Sequence, residues 1–296
     1  MKTFEGIFVV NVTPMNYDQS LNEDALRNNI DWYIREGVDG ICCCGSTGEV
    51  VSLTPGERHR VVEVVVNQAG GRVPVLAGTT HETTSETIAY TRQAKEAGAD
   101  GALILTPYYC HPDADEVYTH FKAVSDTVDL PIMLYNNPGT SGVDLQADLV
   151  ARIGELENVR YVKESSGDIR RIRDIMRMGK DNLKVFCGAE DLAWESFVSG
   201  AVGWICVIAN IVPQWSQDLF QLTRSNETES AKAVFNRMLP MLTFLEGSGK
   251  YVQVIKAAMN KIGVCTAGPS RLPRLPLTED EDRCLDHILV EMGLVD

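Results

Sequence analysis

Glu36-Gly37-Val38-Asp39-Gly40-Ile41 recurs as Ala97-Gly98-Ala99-Asp100-Gly101-Ala102 and, degraded, as Ser199-Gly200-Ala201-Val202-Gly203-Trp204. Each copy closes a helical pattern and opens an apolar run. The first glycine suits the left-handed backbone that ends a helix, and a strand begins a few residues later. A helix-to-strand joint repeated along a chain implies consecutive β-α units, hence a parallel sheet with right-handed crossovers. Working outward, eight short apolar runs stand at 8–12, 41–44, 73–77, 102–105, 132–135, 159–162, 183–187 and 204–208. Several are apolar without alternation, as expected of strands covered on both faces. Helix-length segments lie between them, for example 55–69, 83–97 and 168–178. Thr54-Pro55-Gly56-Glu57 carries a capping residue, a proline at the first helical position and a glutamate three after the cap. The units fit an α/β fold of the (β/α)8 TIM-barrel type better than a doubly wound sheet. The latter usually brings a glycine fingerprint after strand one, where Val12-Thr13-Pro14-Met15 stands. After Asn210 the strands stop, and 231–244, 251–261 and 278–292 read as helices. Residues 1–224 are expected to form the barrel carrying the active site, and 225–296 a C-terminal helical extension packed on it.

With 296 residues, 44% of them apolar, the chain can bury a large core. A net charge of −14 argues against nucleic acid or an anionic membrane as partner. No apolar run approaches the roughly 20 residues of a membrane span. The start, Met1 to Gly6, leads straight into a strand-like run with no signal peptide, so the expected compartment is the cytoplasm. Eight cysteines include Cys42-Cys43-Cys44 but no Cys-x-x-Cys pair. Successive strand residues face opposite ways, so the triplet cannot converge on one metal and reads as small core hydrophobes. A metal-dependent aldolase would need His or carboxylate ligands at several strand ends. His59 and His120 sit in helical segments instead, and His111 follows a tyrosine pair. No metal and no cofactor are expected.

In a barrel of this kind, reactive groups gather where strands end. Strand six ends in Tyr161-Val162-Lys163-Glu164-Ser165-Ser166-Gly167-Asp168. A lysine closing a buried strand is costly to desolvate, so its pKa is expected to fall, freeing an amine for Schiff-base formation with a ketone. The bland alternative is a strand-end lysine reaching solvent. Tyr135, at the end of the neighbouring strand, is either a proton shuttle or a barrel-lining aromatic. Gly45-Ser46-Thr47-Gly48 offers successive N–H groups and two hydroxyls, a nest for a carboxylate or an ordinary turn. Strand seven ends in Gly188-Ala189-Glu190-Asp191, whose two acceptors suit a hydroxylated or amine-bearing substrate tail, or cap the next helix.

Gly45-Ser46-Thr47-Gly48-Glu49, Thr106-Pro107-Tyr108-Tyr109, Leu134-Tyr135-Asn136-x-Pro138 and Val162-Lys163-Glu164 resemble the dihydrodipicolinate synthase / N-acetylneuraminate lyase family in order and spacing, from about Gly6 to Asn210. The resemblance implies a barrel with a helical extension, a homotetramer, and a lysine Schiff base with pyruvate or another 2-keto acid. It implies that Lys163 is the Schiff-base lysine and Tyr135 the relay tyrosine. Ser46 and Thr47 would hold the keto-acid carboxylate and join the relay, and Tyr109 would reach across a subunit interface. Gly188, Glu190 and Asp191 would flank the substrate, and the Ile205 carbonyl would face it. Two departures follow. Synthases place a carboxylate-gripping arginine two residues after the proline, where this chain has Thr140, and Val207 stands where a lyase offers a serine. Aldol cleavage of a hydroxylated 2-keto acid is therefore expected first and dehydration or deamination through the same intermediate second. Condensation of pyruvate with aspartate semialdehyde comes third. A non-catalytic keto-acid-binding relative is the reading from a different class, against which the intact Lys163–Tyr135 pair argues.

Overall fold

The computed structural model describes residues 3–179 and 182–296. Eight parallel strands pair in chain order and close into a barrel: β1 (Gly6–Val10), β2 (Gly40–Cys43), β3 (Val75–Gly78), β4 (Gly101–Leu105), β5 (Ile132–Asn136), β6 (Val159–Glu164), β7 (Lys184–Cys187) and β8 (Gly203–Cys206). Closure sets Gly6 against Gly203 and Phe8 against Ile205. Between strands run α1 (Glu23–Arg35), α2 (Pro55–Ala69), α3 (Thr84–Ala97), α4 (Ala114–Thr127), the short α5 (Pro138–Ser141), α6 (Ala147–Ile153), α7 (Ile169–Gly179) and α8 (Ala193–Val198). α9 (Pro213–Arg224) completes the ring, and α10 (Thr228–Ser248), α11 (Tyr251–Ile262) and α12 (Glu279–Glu291) follow.

The repeated joint works as its sequence implies, and the structure adds the role of its aspartate. Gly37, Gly98 and Gly200 all take positive φ, at 87°, 94° and 102°. Two residues on, the Asp39 N–H donates to Ile7 O at 2.8 Å while the Asp39 carboxylate accepts from Ile7 N at 2.7 Å. Asp100 repeats this on Val75, at 2.8 and 2.9 Å. In the degraded copy Val202 keeps only the backbone bond, to Val185 O at 2.9 Å. Each aspartate thus satisfies an N–H at the start of the preceding strand, the second of β1 and the first of β3.

β1 and β8 stop two residues short of their expected ends. The Asn210 amide donates to Val10 O at 2.9 Å and to Val207 O at 2.8 Å, drawing the mouth of the barrel into a tight turn after Cys206. Two apolar layers result. Phe4, Phe8, Leu76, Met133, Tyr161 and Phe186 fill the barrel from its N-terminal end, with Phe4 and Tyr161 stacked at 4.7 Å. The larger layer lies between strands and helices. Strand alternation sends Cys42 into the barrel and Cys43 outward, and the cysteines are all free. No helix of the described residues is long and apolar enough to cross a membrane.

α10 is longer than the pattern at 231–244 suggested, and it packs along α9. The extension is fastened to the turn after β2. Lys256 of α11 forms an ion pair with Glu49, both side chains buried, and the Glu49 carboxylate also accepts from Arg271 N at 2.8 Å. The Arg271 guanidinium reaches both Glu57 carboxylate oxygens, at 2.7 and 2.8 Å.

Candidate active site

Tyr135 and Lys163 are register partners on β5 and β6, so both side chains enter the barrel at the same height. They are 7% and 5% exposed. Alternation along β6 turns Tyr161 and Lys163 inward and Val162 outward. The Lys163 Nζ lies 4.3 Å from the centre of the Tyr135 ring, and the Tyr135 oxygen accepts from Asn137 Nδ2 at 2.8 Å. The lysine stem runs over Gly188. A Cβ there would stand 2.7 Å from Lys163 Cε and Cγ and 2.0 Å from Ser165 Oγ, so no larger residue fits beneath the amine.

Burial disfavours the Lys163 ammonium, as the sequence suggests, but Tyr135, Cys42 and Glu190 oppose it. Once those groups are charged the pKa is held above the ordinary lysine value, which corrects the expected fall. Burial also pushes Cys42 up to about 12 and Glu190 to about 8.

Lys163, Tyr135, Ser46, Thr47, Gly188 and Glu190 line one cavity of about 470 Å³ at the C-terminal end of the barrel. The Ser46-Thr47 turn is held from below by Thr13 Oγ1, which donates to Gly48 O at 2.7 Å. Four more residues of the expected set are placed as follows. Glu190 is buried and directs its oxygens at Val207 N and Ile208 N, at 2.8 and 3.1 Å, so it braces the turn after β8. Asp191 continues a short 3-10 turn and is not among the cavity-lining residues. The Ile205 side chain belongs to the inner barrel layer. Tyr109 is 85% exposed on a loop whose N–H groups at 108 and 109 donate to Glu82, and it does not enter this cavity.

Sequence reading missed the opposite wall. Glu246 from α10, Gly249 from the turn after it, Tyr251 and Gln253 from α11, and Arg274 from the loop before α12 also line the cavity, as does Thr140. Glu246 accepts from Glu190 N at 2.6 Å. Burial, with the nearby Glu190 and Glu246 carboxylates, pushes the Tyr251 phenol well above its ordinary range. A second cavity of about 520 Å³ adjoins through Ser46, Tyr135, Thr140 and Arg274. Among the described residues no group of three or more His, Cys, Asp or Glu is arranged to hold a metal. A buried amine, an adjacent phenol and a hydroxyl-bearing turn with free N–H groups suit covalent capture of a ketone that carries a carboxylate.

Comparison with known proteins agrees with that chemistry. The dihydrodipicolinate synthetase family model matches residues 3–292. The 4-hydroxy-tetrahydrodipicolinate synthase of Methanothrix thermoacetophila is 37% identical over 293 residues, covering 98% of this chain and 97% of that one. That of Geotalea uraniireducens is 38% identical over 292 residues, covering 99% and 100%. Among solved structures, the chloride-inhibited dihydrodipicolinate synthase from Acinetobacter baumannii complexed with pyruvate superposes with a TM-score of 0.95 at 33% identity, covering 99% of this chain and 100% of that one.

Proposed function

Because this chain belongs to the dihydrodipicolinate synthetase family, we propose that it is a pyruvate-dependent aldolase working through a Schiff base on Lys163. The observation that carries the reading is the register pair Tyr135 and Lys163, both buried, with the lysine stem laid over Gly188 inside one cavity. The unprotonated Lys163 amine attacks the C2 carbonyl of pyruvate. Tyr135 returns a proton to the carbinolamine oxygen, which leaves as water. The iminium then withdraws electrons from C3, whose proton is lost to give an enamine. C3 of the enamine bonds to the carbonyl carbon of an aldehyde, and water releases the product from Lys163. Ser46, Thr47 and the N–H groups of their turn hold the pyruvate carboxylate throughout. Tyr109 approaches the site of a neighbouring subunit in a homotetramer.

Relatives named 4-hydroxy-tetrahydrodipicolinate synthase favour aspartate semialdehyde as the aldehyde, reversing the order in which the sequence placed synthase and cleavage. The second reading, aldol cleavage of a hydroxylated 2-keto acid by the reverse path, is favoured by Thr140. It stands at the cavity where synthases are expected to carry an arginine.

Borohydride reduction in the presence of pyruvate, followed by peptide mass mapping, tests the core. An irreversible adduct is expected on the peptide containing Lys163 and on no peptide of Lys163→Ala. A folded wild-type protein that gives no adduct refutes the proposal. Turnover of pyruvate with aspartate semialdehyde at ordinary enzyme rates then selects synthase. Absence of that turnover, with release of pyruvate from a hydroxylated 2-keto acid, selects cleavage.

A further inference from the structure

The cavity holds two cationic side chains among its described lining residues, Lys163 and Arg274. Once Lys163 is committed to an imine, Arg274 alone keeps a positive charge free to meet substrate. The keto-acid carboxylate is accommodated at the Ser46-Thr47 turn, so Arg274 faces whatever the other end of the substrate brings.

The surroundings leave the guanidinium available. Its one hydrogen bond among the described residues runs from Nη1 to Ser52 Oγ at 2.7 Å. Glu49 is the nearest carboxylate, at 3.8 Å, but it is already engaged by Lys256 and by Arg271 N. Arg274 therefore retains several N–H donors in fork geometry, the arrangement that recognises a carboxylate through two parallel bonds. Other cations near the mouth are occupied. Arg58, in the adjoining cavity, donates to Thr80 O at 3.0 Å and stacks on the Tyr90 ring at 3.8 Å. Arg271 is taken by Glu57. Glu246, which also lines the cavity, presents a carboxylate that disfavours an anionic tail beside it.

Resting on the Lys163 Schiff-base reading, we propose that Arg274 is a specificity-determining residue that binds a second carboxylate, at the end of the substrate remote from the keto group. It does so from the C-terminal loop, while Thr140 on the barrel side supplies no charge. The substrate class is thereby narrowed to 2-keto acids whose tail is itself an acid, or to aldehyde partners that bear one. Cleavage of a neutral, purely hydroxylated tail is disfavoured.

Binding can be read without knowing the natural substrate, from the concentration dependence of borohydride trapping on Lys163. Two series are compared: 2-oxoglutarate, 2-oxoadipate and 2-oxopimelate against neutral 2-oxo acids of matching chain length, with pyruvate as reference. Wild-type protein is expected to capture at least one dicarboxylic member about 10- to 100-fold more tightly than its neutral counterpart, as a charge-assisted pair implies. Arg274→Ala should abolish that preference, weakening diacid capture far more than pyruvate capture, while Arg274→Lys restores part of it. Wild-type protein indifferent to the second carboxylate, or Arg274→Ala that still discriminates, overturns the assignment with the Schiff base intact. Equal loss for pyruvate and for the diacids in Arg274→Ala also overturns it, since that is the mark of a structural role. Failure of pyruvate to trap on wild-type protein removes the Lys163 reading itself, and this assignment with it.

Discussion

Gly188→Ala places one methyl group directly under the reactive lysine. The added Cβ would lie 2.7 Å from Lys163 Cε and Cγ and 2.0 Å from Ser165 Oγ, against an ordinary carbon–carbon contact of about 3.5 Å or more. The strands on either side cannot yield, because Gly188 N is bonded to Glu164 O at 2.8 Å. The lysine stem must therefore retreat by about 1 Å. Misplacement of that size at a reacting centre costs on the order of 10²-fold in rate. The overpacking itself costs about 1–3 kcal/mol of stability. The two effects separate in Ser165→Ala/Gly188→Ala, which removes the tightest contact but not those to Lys163. The double variant should regain stability while its trapping rate stays low. Rates of borohydride-trapped pyruvate adduct, measured beside thermal unfolding, provide the assay. A folded Gly188→Ala protein that forms the adduct at the wild-type rate would show that the position of the lysine stem does not control the chemistry.

Two further outcomes concern stability. Glu190 has its folded pKa raised from 4.5 to about 8, so the folded protein holds that proton more tightly than the unfolded chain does. The associated stability is fully present below pH 4.5 and is lost as pH rises toward 8. Glu190→Gln should flatten this part of the unfolding-temperature profile, and an unchanged slope would count against it. Lys256→Met strands the buried Glu49 carboxylate and is expected to destabilise by about 3–5 kcal/mol in denaturant titration. Lys256→Met/Glu49→Gln should recover much of that loss, and a double variant no better than the single one would show that the burial of unpaired charge is not the cause.

The barrel was legible because parallel strands covered on both faces leave unmistakable apolar runs, and because Gly37, Gly98 and Gly200 mark the joints between units. Where the runs misled, at the ends of β1 and β8, a single side chain intervened: Asn210 captures backbone carbonyls from both neighbourhoods. Lys163, Tyr135, Ser46 and Thr47 could be gathered from sequence because strand order alone delivers them to one rim. Glu246, Tyr251 and Arg274 could not. They reach the cavity through the docking of α10, α11 and the following loop, and no periodicity encodes where a docked helix presents its end. The titration of Lys163 failed to follow burial alone for a similar reason, since its neighbours Cys42 and Glu190 are remote in the chain. For Glu190 a sequence shows the carboxylate but not the two backbone amides it meets.

The fastening of the C-terminal extension to the turn after β2 gives the two walls of the cavity different evolutionary freedom. The wall that holds Lys163, Tyr135 and Gly188 is woven into adjacent strands, so a change there disturbs the barrel itself. The wall from Glu246 to Arg274 comes from segments docked on the barrel, packed along α9 and tied to the turn after β2 at Glu49, so a change there leaves the strands in place. On the proposed roles of Lys163 and Arg274, the imine chemistry is written in the barrel and the choice of partner in that outer segment. Comparing relatives across the segment alone would sort them by what they accept and not by descent.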